Sequence, residues 1–299
     1  MPPEAVDGVD VGWEGARAAN LANWDDRVPL HVEAYGLEAF TADPAHLSSV
    51  VRHDLPVLER HLDGGTLAGL DVCHLQCHIG TDTVSLARAG ARVVGVDFSA
   101  PALAAAARLA AAIGIDARWV EGDVLEARAL VDAALGEDRT FDVVYTSIGT
   151  IGWLSDLTAW ARQIAALLAP GGVLYFRDGH PMLGTIDEDR DELVARYRYF
   201  SDGRALQWDD DATYVGDGRV EATRTYEWAH PVSEIVTALL EAGLAIEAMD
   251  EGRTLPWRFS ERMVELPDGD FAWPGGEAEI VPCTLTIVAR KSRTPSDSQ

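Results

Sequence analysis

The chain has 299 residues, of which 47% are hydrophobic and 24% charged. This composition supports a sizeable core and excludes collagen-like, disordered and coiled-coil proteins. The 49 acidic residues outnumber the 24 basic ones, for a net charge of −25, so we expect neither a nucleic-acid partner nor an anionic membrane as partner.

Cysteine content and leader signals indicate the compartment. Cys73, Cys77 and Cys283 are too few for a disulfide framework in a chain of this length. The first ten residues have no basic and apolar leader pattern, and no segment reaches the ~18 consecutive apolar residues of a membrane span. We therefore expect a cytoplasmic protein.

Residues 1–61 are mostly helical in composition and carry a polar-aromatic stripe. Trp24, Arg27, His31 and Tyr35 follow one another at spacings of three and four residues, which is the repeat of one helical face. The stripe either packs on the sheet or belongs to a lid that closes over a ligand. Its mixed content favours the N-terminal helical lid.

Apolar runs alternate with helical patterns over residues 62–178. The predicted strands are Leu70–Leu75, Arg92–Val96, Ala117–Val120, Phe141–Thr146 and Val173–Phe176. Helices are predicted at Thr81–Ala89, Pro101–Ile113 and Leu157–Leu168. This alternation predicts an α/β fold with a doubly wound parallel sheet.

The alternation stops after Phe176. Residues 179–228 are predicted to form an antiparallel insertion, with glycine turns between the runs Arg196–Phe200, Ala212–Val215 and Val220–Trp228. Residues 229–290 return to the core sheet: a helix begins near Pro231 and ends at Gly243, and strands follow at Leu244–Met249 and Cys283–Ala289. Residues 291–299 are predicted to be a flexible tail.

The most informative stretch runs from Val72 to Ser99, VCHLQCHIGTDTVSLARAGARVVGVDFS. The loop Gln76–Gly80 lies between a strand and a helix, where backbone N–H groups and a helix N-terminus favour a ligand. Asp97 ends the second strand, where an open α/β sheet places a carboxylate against two ribose hydroxyls. Asp123 follows the third strand, where its oxygen would accept from an exocyclic amine.

In this order of motifs, residues 70–178 and 231–289 resemble the class I S-adenosylmethionine-dependent methyltransferases. The resemblance implies a Rossmann-like sheet of seven strands with the last one antiparallel. It also implies S-adenosyl-L-methionine as cofactor and S-adenosyl-L-homocysteine as product. Residues 23–40 and 228–244 resemble a bacterial antibiotic-tailoring subgroup that includes lincosamide N-methyltransferases.

The resemblance also implies which residues bind the cofactor. They are His74, Gln76, Gly80, Asp97, Phe98, Asp123, Val124 and Ser147. Asp97 would bind the ribose, Phe98 would pack against adenine, and Asp123 with Val124 would read the adenine edge. Ser147 would approach the cofactor amino group, and the loop Gln76–Gly80 would curve around the methionine part.

The chain departs from the family pattern inside this loop. Most members have an acid where this chain has His74, and glycines where it has Gln76 and His78. Either the side chains of Gln76 and His78 point away from the ligand, or the loop follows a path with negative φ. Cys73 and Cys77 next to these histidines invite a metal site, but the spacing argues against one and we expect no metal.

Three further side chains are candidates for the acceptor side of the site. His180 lies just past the fifth strand and is either the catalytic base or a structural cap of that strand. His230 precedes a helix, where capping is favoured over substrate contact. Trp153, like His230 and the four residues of the helical stripe, is predicted to contact the substrate or to belong to the lid.

We therefore predict transfer of a methyl group to a nitrogen of a small molecule, such as a secondary metabolite. O-methylation is the alternative. A nicotinamide-dependent oxidoreductase would need G-x-G-x-x-G where this chain has Gln76–Gly80 as Q-C-H-I-G. A non-catalytic cofactor-binding protein also stays open. Aromatic residues in the lid and insertion favour a homo-oligomer.

Overall fold

The structure, a computed structural model, describes residues 8–136, 138–213 and 218–293. Its helices are α1 Trp13–Ala34, α2 Leu37–Ala42, α3 Ser49–Glu59, α4 Thr81–Arg88, α5 Ala100–Ala112, α6 Ala127–Leu135, α7 Leu157–Leu167 and α8 Val232–Glu241. Its strands are β1 Asp71–Leu75, β2 Arg92–Asp97, β3 Ala117–Glu121, β4 Phe141–Thr146, β5 Leu168–Gly179, β6 Leu206–Asp209, β7 Arg224–Glu227, β8 Leu244–Gly252, β9 Thr254–Leu255, β10 Val264–Glu265, β11 Phe271–Ala272 and β12 Thr284–Lys291.

A seven-stranded sheet forms the centre of the molecule, in the order β3-β2-β1-β4-β5-β12-β8. Strands β1 to β5 pair in parallel, and β12 pairs antiparallel with both β5 and β8. The expected α/β Rossmann-like fold with an antiparallel last strand is therefore confirmed. The carboxyl ends of β1, β2 and β4 meet at one edge, which is where an open parallel sheet binds ligands.

Both faces of the sheet are buried, which explains why its strands are continuous apolar runs. On one face, Trp160 of α7 packs edge-on against Phe176 of β5 at a centroid distance of 5.6 Å. On the other face, Leu58 of α3 and Leu86 of α4 belong to a second buried cluster with Tyr145. No helix in the described part of the chain is long and apolar enough to cross a membrane.

The strand and helix predictions for residues 62–178 are confirmed to within a few residues. The strand Phe141–Thr146 has the predicted bounds, and the helix predicted at Thr81–Ala89 ends one residue earlier. Strand β5 begins at Leu168, ahead of the predicted Val173. The start of β5 is irregular, with Gly171 at φ +84° and a register shift against β4.

The insertion contains one antiparallel pair, but its strands differ from the prediction. Strand β6 pairs with β7 and was not predicted. The prediction of a strand at Arg196–Phe200 is wrong, because the backbone N–H groups of Arg196 and Tyr197 both donate to the Thr185 carbonyl and bend the chain. From the run Ala212–Val215, Ala212 makes an isolated bridge to Arg219, and residues 214–217 lie outside the described residues.

The C-terminal part contains one element that was not predicted and one predicted boundary that is corrected. The sequence did not indicate the small antiparallel sheet β10-β11-β9, whose Leu255 packs in a satellite core with Trp273 and Cys283. The tail does not begin at Lys291, because that residue ends β12 and its ammonium donates to the carbonyls of Ala165 and Leu168, each at 2.7 Å. Residues 294–299 of the predicted tail lie outside the described residues.

Candidate active site

A cavity of about 1100 Å³ opens at the carboxyl edge of the parallel strands, between α1 and the hairpin β6–β7. That volume lies slightly above the ~300–1,000 Å³ typical of small-molecule sites. Most of the residues singled out in the sequence line it: Trp24, Arg27, Tyr35, His74, Gln76, Asp97, Phe98, Asp123, Val124, Ser147, Trp153, His180 and His230. The two exceptions are Gly80 and His31, which do not line the cavity.

The loop between β1 and α4 keeps the backbone of a glycine-rich loop although Gln76 and His78 stand where glycines are usual. Gln76 has φ 56° and His78 has φ 48°, so the alternative of a path with negative φ is wrong. Such a conformation costs roughly 1–2 kcal/mol for a residue with a Cβ. Hydrogen bonds hold it: the Gln76 side-chain amide donates to the Thr150 carbonyl at 2.9 Å, and the His78 N–H donates to Asp97 at 2.7 Å.

Gly80 begins α4 at φ +77°, in the left-handed region. A Cβ at this position would lie 2.6 Å from the Cβ of Ala106 and 2.7 Å from the ring of Trp119. The loop therefore needs glycine here for its backbone conformation and for the close approach of α5 and β3. Gly80 shapes the loop from behind and does not line the cavity.

Asp97 lies at the end of β2, buried at the cavity wall. Its two oxygens accept from the N–H groups of His78 and Ser99, at 2.7 and 2.9 Å. Burial raises the pKa of Asp97 to about 6, and these two hydrogen bonds lower it. Each oxygen retains a second lone pair, so an ionised Asp97 can still accept two hydroxyl groups.

Asp123, the position expected to read adenine, is in contact with helix α1. One oxygen accepts from the Leu125 N–H at 2.9 Å, and the other accepts from the Trp13 indole at 3.0 Å. The guanidinium of Arg17 lies 3.8 Å away. Since Trp13 and Arg17 belong to α1, this helix closes the cavity beside Asp123 and Val124.

His74 carries a polar atom with no hydrogen bond at the cavity wall. Its Nδ1 lies 2.8 Å from the Thr83 hydroxyl, and its buried Nε2 has no hydrogen-bond partner among the described residues. Burial lowers the pKa of His74 to about 3, so the ring is neutral. Asp82 lines the same part of the cavity, and burial raises its pKa to about 6.

Ser147 belongs to a buried polar cluster that the sequence did not reveal. Its hydroxyl donates to Asp54 of α3 at 2.9 Å, and the Tyr145 hydroxyl donates to the same oxygen at 2.5 Å. The other oxygen of Asp54 lies 2.5 Å from Nε of Arg177, and both residues are buried. These residues come from three distant segments, so their spacing in the sequence carries no signal.

The helical stripe divides between the cavity and the interior. Trp24 lies edge-on to Trp153 and to His78, at centroid distances of 5.4 and 5.2 Å. His31 is fully buried and stacks on Tyr35 at 5.2 Å. The two interpretations of the stripe therefore apply to different residues. Trp24, Arg27 and Tyr35 line the cavity, whereas His31 packs against His78 in the loop between β1 and α4.

Helix α1 is attached to the hairpin by side chains that sequence reasoning missed. The Asn20 amide donates to the carbonyl of Tyr226 and accepts from its N–H, at 2.9 and 2.8 Å. Asn23 donates to the Ala222 carbonyl at 2.6 Å, and the Ala222 N–H donates to Asp26 at 3.1 Å. The only sequence signal was an excess of short amides and acids on a helix, where they are uncommon.

His180 lies past β5 with both ring nitrogens engaged. Its Nδ1 accepts from the Met182 N–H at 3.0 Å, so Nε2 carries the proton and donates to Glu251 at 2.8 Å. Burial lowers the pKa of His180, and Glu251 opposes that shift. In this neutral ring the single lone pair faces the protein backbone.

Two neighbouring side chains position the loop after β4. His230 does not cap α8; its Nε2 donates to the Leu154 carbonyl at 2.7 Å. Asp178 accepts from the N–H groups of Gly149, Thr150 and Ile151 at 2.6 to 2.9 Å, which fixes the loop that carries Trp153. Asp178 was not singled out in the sequence.

The cysteines beside the loop are buried hydrophobic residues. Burial raises the pKa of Cys73 to about 12 and that of Cys77 well above its usual value, so both remain thiols. Within the described ranges, no three His, Cys, Asp or Glu side chains are grouped in a way that could hold a metal.

These features define a nucleotide-cofactor site of the open α/β type. A carboxylate after β2, a carboxylate beside apolar Val124 after β3, and a backbone loop at the start of α4 line one cavity. These hydrogen-bonding groups together fit a ribose, an adenine ring and an amino-acid chain. The residues present therefore fit S-adenosylmethionine.

Comparison with known proteins shows which domain and which fold this chain resembles. Residues 73–174 match the family described as a methyltransferase domain. An S-adenosylmethionine-dependent methyltransferase from Clostridium acetobutylicum superposes with a TM-score of 0.51 at 16% identity, covering 79% of this chain and 89% of that chain. Residues 73–174 are therefore similar to a methyltransferase domain, and the chain shares the fold of that solved structure, as expected from the sequence.

Two curated relatives share part of the chain. The ubiquinone biosynthesis O-methyltransferase of Ralstonia nicotianae is 34% identical over 116 residues, which are 38% of this chain and 45% of that protein. The cypemycin N-terminal methyltransferase of a Streptomyces species is 35% identical over 148 residues, 48% of this chain and 52% of that protein. The chain spans about half the length of these relatives.

Proposed function

We propose that this protein transfers a methyl group from S-adenosylmethionine to a nitrogen of a small molecule of the secondary-metabolite type. When bound, the cofactor supplies a sulfonium-activated methyl group. Asp97 binds its ribose, Phe98, Asp123 and Val124 its adenine, and the loop from Gln76 to Gly80 its methionine part. The remaining work is to exclude water and to present an unprotonated acceptor.

The hydrogen bonds of His180 are the observation that favours a nitrogen acceptor over a hydroxyl acceptor. A hydroxyl acceptor usually needs a positioned base, whereas an amine is nucleophilic once it has lost its ammonium proton. His180 is the histidine nearest the end of β5, and its lone pair accepts from the Met182 N–H. We infer that His180 positions the segment after β5 and takes no proton from the acceptor.

The size and closure of the cavity support a small acceptor. The lid helix α1 contributes Trp24 and Arg27 to its wall, and the loop after β4 contributes Trp153. The relative from Streptomyces is named as a cypemycin N-terminal methyltransferase, a name that describes methylation at an N-terminus. O-methylation is the second candidate, because the Ralstonia relative is named as an O-methyltransferase.

The experiment is a turnover assay with a library of amines and alcohols. The purified protein is incubated with S-adenosylmethionine, and S-adenosylhomocysteine and methylated products are measured by mass spectrometry. We expect S-adenosylhomocysteine with amines and not with matched alcohols. Products from alcohols alone would favour the second candidate. Cofactor binding without turnover on any acceptor would favour a non-catalytic cofactor-binding protein.

A homo-oligomer is also proposed. Phe200 in the insertion is 75% exposed, and Ile280 near β12 is 68% exposed. Light scattering of the purified protein tests this directly, and a monomer mass at all concentrations would reject it.

A further inference from the structure

One face of the hairpin β6–β7 forms a wall of the cavity. Leu206 pairs with Glu227 and Trp208 pairs with Thr225 in the antiparallel register, so these four side chains share one face. All four line the cavity. On the opposite face, Asp209 and Arg224 form an ion pair that is exposed to solvent.

The inner face combines one carboxylate with aromatic rings. Glu227 is the only ionisable side chain among its four residues. The Trp208 ring lies edge-on to Tyr197 at a centroid distance of 5.4 Å, and Tyr197 also lines the cavity. Burial raises the pKa of Tyr197 to about 12, so it stays a neutral ring. Aromatic faces and a carboxylate both attract an organic cation.

Other charged groups act on Glu227 from neighbouring elements. Burial raises its pKa to about 7, Arg27 of α1 lowers it, and Glu188 in the segment before β6 raises it. Arg198 and Asp210 also line the cavity, and Arg198 forms an ion pair with Asp202. Above neutral pH, Glu227 is therefore a partly desolvated carboxylate beside one guanidinium.

We propose that Glu227, with Trp208 and Tyr197, binds the ammonium form of an alkylamine acceptor, which then releases its proton to water so that the free amine can accept the methyl group. The proposal rests on the proposed function and names its substrate class and its recognition residue. A carboxylate and two aromatic rings on one wall select a cation over a neutral hydroxyl compound of the same shape. The alternative is that Glu227 only balances the charge of Arg27, and that Arg27 binds an anionic acceptor.

The test measures binding of matched probes to the full chain in the presence of S-adenosylhomocysteine. The probes are tryptamine, tryptophol and indole-3-propionate, with 2-phenylethylamine, 2-phenylethanol and 3-phenylpropanoate as a second set. Titration calorimetry at pH 8 is expected to show each amine binding at least ~10-fold more tightly than its alcohol and its carboxylate, the lower end for a charged hydrogen bond. Glu227→Gln is expected to remove this preference, and Glu227→Asp to retain part of it.

The matched control is Asp209→Asn, which removes a carboxylate from the outer face of the same hairpin and is expected to leave the preference unchanged. A second readout needs no variant. The amine preference of the wild type is expected to fall as the pH decreases from 8 to 6, because Glu227 gains a proton while an alkylammonium keeps its charge.

Absence of an amine preference in the wild type, a preference for the carboxylates, or an unchanged preference in Glu227→Gln would each overturn the proposal. Failure of the folded wild type to bind S-adenosylhomocysteine would instead contradict the proposed function. The two failures are distinguishable because the calorimetric titration with S-adenosylhomocysteine is done first and without any acceptor.

Discussion

Nδ1 of His31 on α1 lies 3.2 Å from Nε2 of His78 in the loop between β1 and α4. A hydrogen bond between two ring nitrogens requires one of them to donate and the other to accept. Burial lowers the pKa of His31 to about 4 and that of His78 to about 3, so both rings are neutral near pH 7. The pair therefore couples the position of helix α1 to the conformation of the loop.

Replacing His31 by Gln tests this coupling. The variant loses the contact with His78 and the 3.0 Å contact with Thr213, so we expect affinity for S-adenosylhomocysteine to fall by roughly 1–2 kcal/mol in calorimetry. The control is Glu33→Gln, an exposed position on the same helix. An unchanged affinity of His31→Gln in the folded protein would show that the lid and loop are independent.

The same variant predicts a pH dependence of stability. The unfolded His31 takes up a proton near pH 6.5, whereas the buried ring does so near pH 4. As the pH falls through this window, the unfolded wild type binds more protons than the folded one. Relative to His31→Gln, its free energy of unfolding should decrease by up to ~1.4 kcal/mol per pH unit. Urea denaturation at several pH values measures it, and parallel curves would contradict the assignment.

Asp97→Asn tests the ribose-binding role. Loss of the carboxylate should weaken S-adenosylhomocysteine binding by ~1.5–3 kcal/mol, the range for hydrogen bonds to a charged group. Because the pKa of Asp97 is raised to about 6, the wild-type affinity should also decline as the pH falls through that value, while the variant stays flat. Equal affinity and equal pH profiles would remove Asp97 from the site.

The buried pair of Asp54 and Arg177 carries a stability prediction. Asp54→Ala leaves a buried guanidinium without its partner, so we expect a loss of ~3–5 kcal/mol in urea denaturation. The double variant Asp54→Leu, Arg177→Met removes both charges and should recover part of that loss. A double variant no more stable than Asp54→Ala would show that the hydroxyls of Tyr145 and Ser147, rather than the ion pair, set the cost.

His180→Ala tests the chemistry once an acceptor is known. For an amine acceptor, kcat should fall by less than ~10²-fold, and the rise of rate with pH should persist, because positioning carries most of the rate. Folding is checked by thermal melting. A loss beyond ~10⁴-fold with intact cofactor binding and a flattened pH profile would make His180 the general base.

Local patterns predicted most of the sheet. The runs that became β1 and β4 are apolar on both sides of the chain, and Gly80 ends the loop that joins β1 to α4. These signals lie within a few residues of each other, so one sequence suffices to detect them. The insertion was harder, because the strand Leu206–Asp209 is short and its partner lies beyond a loop.

Long-range partners explain what the sequence did not reveal in the site. Asp54 meets Arg177 only after α3 packs on the sheet, and Asn20 meets Tyr226 only after α1 crosses the hairpin. The environment of His180 also depends on the fold, since Glu251 reaches it from the distant β8. Residue type marked these positions as polar, but tertiary packing supplied their partners and hence their roles.

The most direct test of the central claim follows the methyl group itself. The protein is incubated with S-adenosylmethionine labelled with carbon-13 on the methyl group and with the amine and alcohol library, and the product is examined by carbon NMR. The account predicts a labelled N-methyl signal together with stoichiometric S-adenosylhomocysteine. A labelled O-methyl product, or no methylated product although the cofactor is bound, would contradict it.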